Sequence, residues 1–147
     1  MNKNILLRNS GFTLMEMLVV ILLIAIVGGF VGANIMGKLS KAKVDTTKIQ
    51  MRQLGVILDQ FKMDCSFYPT TEQNLEALVS KPVSGRECKK YDLDGYVKDK
   101  KIPKDAWGND FRYTSDGNKY TLVSLGSDGQ EGGDGVNKDI STDDPEF

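Results

Sequence analysis

An α+β fold is predicted for this chain: a long amino-terminal helix able to span a membrane, continuing into a small domain with a short helix, an antiparallel sheet and a loop suited to calcium. Three observations predict it. The 21 residues from Met17 to Gly37 carry no charge, and at ~1.5 Å rise per residue such a run matches the hydrocarbon thickness of a bilayer. Leu54, Ile57, Leu58 and Phe61 recur at i, i+3, i+4 and i+7, forming one apolar stripe on a helix. Two segments rich in aromatic and β-branched residues, 111–114 and 119–124, flank Asp116-Gly117, which is a hairpin signal.

The composition narrows the function classes. The chain has 147 residues, 40% hydrophobic and 27% charged, with a formal net charge of −1, so a collagen-like, wholly disordered or basic nucleic-acid-binding protein is not expected. It contains no His, which removes Ser-His-Asp and Cys-His catalysis and the commonest transition-metal ligand. No P-loop motif and no nucleophile-base pair stands out, and the chain is not expected to be an enzyme. Cys65 and Cys88 match no zinc pattern. A disulfide between them is the simplest reading and would contribute roughly 3 kcal/mol by the chain-entropy model; two buried free thiols are the alternative.

The amino-terminal element begins with a polar stretch, Met1 to Gly11, carrying Lys3 and Arg8 and no acid. A secretory signal peptide would have a shorter apolar region ending at a small-x-small cleavage site, and Val31-Gly-Ala33 is a poor copy. Glu16 is the unexpected residue, because a carboxylate within an apolar run is costly unless paired. One reading places it in the headgroup region at the end of a span that starts at Met17. The other gives it a partner.

The residues Gly11-Phe-Thr-Leu-Met-Glu16, behind a short basic leader, resemble the type IV pilin and pseudopilin superfamily. The resemblance implies that residues 1–11 are a leader cut between Gly11 and Phe12 by the prepilin peptidase, which N-methylates Phe12. It further implies that residues 12–37 form the transmembrane and filament-core helix. In a filament of packed apolar helices, Glu16 needs a cation, and the amine of Phe12 on a neighbouring subunit is available, so the pair would set subunit register. Lysines flank both ends of the run, so charge alone does not orient it. The resemblance puts the leader in the cytoplasm, a single pass in the inner membrane and the carboxy-terminal domain in the periplasm.

The helix is expected to run from about Phe12 to Met63, with residues 38–64 its periplasmic continuation. Gly28, Gly29, Gly32 and Gly37 either loosen it or let helices approach closely. Lys38, Lys41, Lys43 and Lys48 read as a solvated face or as filament contacts, since nothing aromatic interleaves them as nucleic-acid binding would require. In the globular part, 65–147, Thr70-Thr-Glu-Gln73 offers a capping box after Pro69 for a short helix carrying Leu75, Leu78 and Val79. Trp107 is expected to anchor the core at a turn before the hairpin.

Three stretches sharpen the resemblance to the major pseudopilin of the type II secretion system: Tyr68-Pro-Thr-Thr-Glu-Gln73, Lys104-Asp-Ala-Trp-Gly-Asn109 and Ser124-Leu-Gly-Ser-Asp-Gly-Gln-Glu-Gly-Gly133. The family commonly has Pro where Ala106 stands and usually lacks the Cys65/Cys88 pair. The segment of about 124–140 is dense in Gly, carboxylates and carbonyls, which suits a hard cation such as calcium; a solvated acidic tail is the plainer alternative. The resemblance implies a Ca2+ site built from the Leu125 carbonyl, Asp128 and Asp139, with the Gln130 carbonyl and Asn137 as further ligands. It also implies a structural subunit that polymerises into a helical pseudopilus driving export of folded proteins. The implied partners are further copies, minor pseudopilins, the prepilin peptidase, an inner-membrane assembly platform with its ATPase, and the outer-membrane secretin channel with its exported proteins. A type IV pilus major pilin is the alternative, although such pilins usually place their cysteine pair nearer the carboxy terminus.

Overall fold

The structure is a computed structural model describing residues 11–145 and 147, with the backbone only for residues 30–36. The leader residues Lys3 and Arg8 lie outside the described residues. Helix α1 spans Leu14–Cys65 without interruption, so the four glycines do not break its backbone. The chain divides into two compact units, the first ending at Leu39 and the second spanning Ser40–Phe147.

In the first unit, every side chain from Gly11 to Gly29 is exposed. Among the described residues no helix is long and apolar enough to cross a membrane. The expected span over 12–37 includes residues 30–36, whose side chains lie outside the described residues.

In the second unit, Thr47, Met51, Leu54, Leu58 and Phe61 of α1 are fully buried. This extends the predicted stripe by two turns towards the amino terminus, with Ile57 half-buried at its edge. A three-stranded antiparallel sheet lies in the order β1 (Arg112–Ser115), β2 (Tyr120–Ser124), β3 (Ile140–Ser141). Tyr113 stands opposite Leu122 and Ser124 opposite Ile140, and all four side chains are buried, as the two-residue period of a strand requires. Gly55 lets helix and sheet meet: a Cβ there would lie 2.8 Å from the Tyr120 hydroxyl. In the hairpin turn, Asp116 Oδ1 accepts from the N–H groups of Asn118 (2.8 Å) and Lys119 (2.9 Å), which holds its carboxyl below the usual carboxylate range.

Phe61 is the hub of the aromatic core, its ring centroid 5.2 Å from Tyr96, 5.8 Å from Phe67 and 6.2 Å from Tyr91. Trp107 packs against this core as expected, but at its edge and only half-buried. Cys65 and Cys88 are joined in a disulfide with Cα atoms 4.8 Å apart, tying the last residue of α1 to the loop beyond residue 80. Burial pushes the Tyr96 and Tyr113 phenols up to about 12.

The short helix departs from expectation. Thr70 N–H donates to Gln73 Oε1 (3.1 Å) and Gln73 N–H to Thr70 Oγ1 (3.4 Å), the reciprocal bonds of a capping box. No α-helix follows, because Asn74 takes a left-handed φ of 50° and only a 3-10 turn, Leu75–Leu78, continues. The Gln73 amide instead donates to the carbonyls of Ser84 (3.0 Å) and Arg86 (2.9 Å), strapping the following loop.

Asp105 ties these parts together. Its buried carboxylate accepts through Oδ1 from the N–H groups of Trp107 (3.0 Å) and Asn109 (2.8 Å), and through Oδ2 from the Ser124 hydroxyl (2.7 Å). Next to it, Ala106 N–H donates to Thr47 Oγ1 on α1 at 3.2 Å. Replacing Asp105 by Ala should cost about 3 kcal/mol or more, because buried donors lose their acceptor, whereas Asp105→Asn should cost less. Phe61→Ala should cost roughly 3–5 kcal/mol by leaving a cavity. Denaturant melts of the detergent-solubilised chain check both values.

Candidate functional site

The acidic loop starts where β2 ends. Leu125 is half-buried, and Asn109 Nδ2 donates to the Gly126 carbonyl at 3.0 Å, so the Asp105 turn also fixes the loop's first peptide. Gly126 has φ 65°, and a Cβ there would lie 2.7 Å from the backbone of Asn137, so the two ends of the loop pass at backbone contact distance. Ser127 N–H donates to the Val136 carbonyl at 3.0 Å, and the Ser127 hydroxyl bonds Asn137 Oδ1. Asn137 N–H in turn donates to the Asp134 carbonyl at 3.1 Å.

The five expected calcium ligands are placed as follows. Asp128 and Gln130 are exposed in one turn, where Asp128 Oδ1 accepts from Gln130 N–H at 3.1 Å. Asn137 is half-buried at the loop's closure, opposite Ser127. Asp139 is half-buried; its Oδ2 accepts from Gly132 N–H at 3.0 Å, and its Oδ1 is buried with no hydrogen-bond partner. A buried carboxylate oxygen without a donor is unfavourable unless a cation faces it, and oxygen-only ligands suit calcium. Among the described residues no three Asp, Glu or Cys side chains group as they would around a metal; the expected set has only two carboxylates and otherwise neutral oxygens. Glu131, adjacent to the set, is paired with Arg112.

At the other end of the chain, Gly11 and Phe12 precede α1 and are exposed. Thr13 caps the helix, its Oγ1 accepting from Glu16 N–H at 3.2 Å. Glu16 therefore sits in the first turn, where the helix dipole favours a negative charge. The spacing Thr13-x-x-Glu16 is itself a helix-start signal, complementary to the register role expected of Glu16. Thr47, Asp105, Asn109 and Ser124 are positioning residues for which no role is expected from the sequence; the last three lie in the stretches 104–109 and 124–133 that carry the family resemblance, whereas Thr47 has no sequence signal.

Comparison with known proteins agrees with this architecture. The profile of the type II secretion system protein G family matches residues 34–143, and the prokaryotic N-terminal methylation motif matches residues 6–32. The chain is 44% identical over 135 residues to type II secretion system core protein G of Vibrio cholerae, covering 90% of each chain. It is 41% identical over 135 residues to the core protein G of Pseudomonas aeruginosa, covering 90% of this chain and 94% of that one. The crystal structure of the major pseudopilin from the type 2 secretion system of enterohaemorrhagic Escherichia coli superposes with a TM-score of 0.63 at 34% identity, covering 74% of this chain and 93% of that one. These likenesses favour the pseudopilin over the type IV pilus reading. The chain belongs to the type II secretion system protein G family, that of the major pseudopilin, a structural subunit of the secretion pseudopilus.

Proposed function

We propose that the prepilin peptidase cuts this chain between Gly11 and Phe12 and methylates Phe12, and that residues 12–37 then hold it in the inner membrane until it joins the pseudopilus. The observation that carries this reading is the first unit itself: a helix with apolar side chains from Leu14 to Val27 exposed all round needs lipid or other copies of itself as its surroundings. In the filament, Glu16 pairs with the amine of Phe12 on a neighbouring copy. A mismatched stagger would leave both charges unpaired in an apolar core, so the pair selects one register. The folded unit faces the periplasm, and the polymer acts with the minor pseudopilins, the assembly platform and its ATPase to move folded proteins through the secretin.

Glu16→Ala should insert and be cleaved normally while the yield of sheared filaments falls roughly tenfold or more, since the neighbouring amine loses its partner. Mass spectrometry of the amino terminus and immunoblots of the sheared fraction measure the two effects. Normal filaments and normal secretion would refute the pairing.

The acidic loop is proposed to hold calcium through the Leu125 and Gln130 carbonyls, Asp128, Asn137 and Asp139, the ion neutralising carboxylates that otherwise repel one another in a tight turn. Support comes from the unpartnered Asp139 Oδ1 and from the loop closure at Gly126. Binding to the folded state alone would add about 2.7 kcal/mol at free calcium 100 times Kd. The detergent-solubilised chain should melt higher in calcium than in chelator, and Asp128→Ala with Asp139→Ala should lose most of that difference. An equal shift in the double variant would make the loop a solvated acidic segment.

A further inference from the structure

Charge is segregated along the folded unit. Residues 81–104 hold eight basic and four acidic side chains, whereas residues 127–147 hold seven acids against one lysine. The basic loop is fixed in place: Cys88 is bonded to Cys65 at the end of α1, Tyr91, Tyr96 and Val97 are buried, and the N–H groups of Tyr96 and Val97 donate to the Leu78 carbonyl at 2.7 and 3.3 Å. On it Lys89, Lys90, Lys98, Lys100 and Lys101 are exposed, and among the described residues none of the five is in an ion pair. Val83 and Leu93 stand on the same loop at 104% and 88% exposure. They add exposed apolar surface to a basic loop that is stapled to the core. Both tyrosines of the loop are buried, so it presents no stacking surface for a nucleic acid.

A helical polymer of identical chains is built from heterologous contacts, in which one patch of a copy meets a different patch of the next. The two patches must therefore be complementary to each other. We propose that the basic loop, with Val83 and Leu93, docks on the acidic loop of a second copy in the pseudopilus, Lys89 and Lys90 facing Asp134, which is exposed there. This rests on the polymer reading above. The disulfide then acts in assembly, holding the basic loop ready before copies meet and so lowering the ordering cost of the contact.

The test is charge exchange in the full chain, expressed with its assembly machinery. Lys89→Glu/Lys90→Glu should lower the sheared filament yield roughly tenfold or more, because like charges then face each other across the contact. Asp134→Lys, which leaves the proposed calcium ligands and the Arg112–Glu131 pair intact, should do the same. All three substitutions together should restore the yield to within about threefold of the parent if the two patches meet directly. Each chain is first checked for an intact disulfide on non-reducing gels and for an unchanged melting temperature in detergent. A parent filament that the reversals leave unchanged, or one that both reversals abolish and their combination fails to restore in folded chains, overturns this inference alone. A parent chain that gives no filament overturns the polymer reading and this inference with it.

Discussion

The buried carboxylate of Asp105 is the interaction on which the folded unit depends. A desolvated charge is tolerated only when its oxygens are filled with donors, and Asp105 collects them from its own turn and from β2. Because the neighbouring Ala106 peptide bonds Thr47 on α1 and the Asn109 amide bonds Gly126, one turn of the chain locates the helix, the sheet and the start of the acidic loop together. No part of that set can shift without leaving a buried donor or acceptor unpaired, a larger penalty than the net gain of an average hydrogen bond.

Around this clamp, the helix supplies the apolar surface and the disulfide limits what the end of the helix can do. Met51, Leu54, Leu58 and Phe61 lie buried along one face of α1, and the chain emerging from Cys65 is turned back by the bond to Cys88. The hairpin is latched to the same region: Tyr68 N–H donates to the Gly117 carbonyl at 2.8 Å and Lys62 Nζ to the Asn118 carbonyl at 3.1 Å. Tyr68 also donates to Asp59 Oδ1 at 2.7 Å, and partial burial together with that bond pushes its phenol up to about 12. Loops on such a frame can carry dense like charge without unravelling, because their ends are fixed by the core.

The sequence by itself determined what is written in local pattern. The long helix, the apolar stripe, the hairpin at Asp116-Gly117 and the cysteine pair are legible because periodicity, turn chemistry and spacing act over a few residues. The leader motif and the Gly-rich acidic segment also identify the family. Tertiary structure alone decided the rest. The Thr70–Gln73 box forms its bonds and yet starts no α-helix, because Asn74 takes a left-handed φ and only a 3-10 turn continues, while the Gln73 amide straps the loop at Ser84 and Arg86. Two-residue β3 exists only because β2 offers it a partner, and Trp107 packs at the edge of a core whose aromatic rings gather around Phe61. Asp105 reads as one more polar turn residue until Ser124, 19 positions away, reaches its second oxygen. A short-range pattern can state that a side chain is polar, but only long-range packing settles whether it is solvated or buried and which donors it must then satisfy.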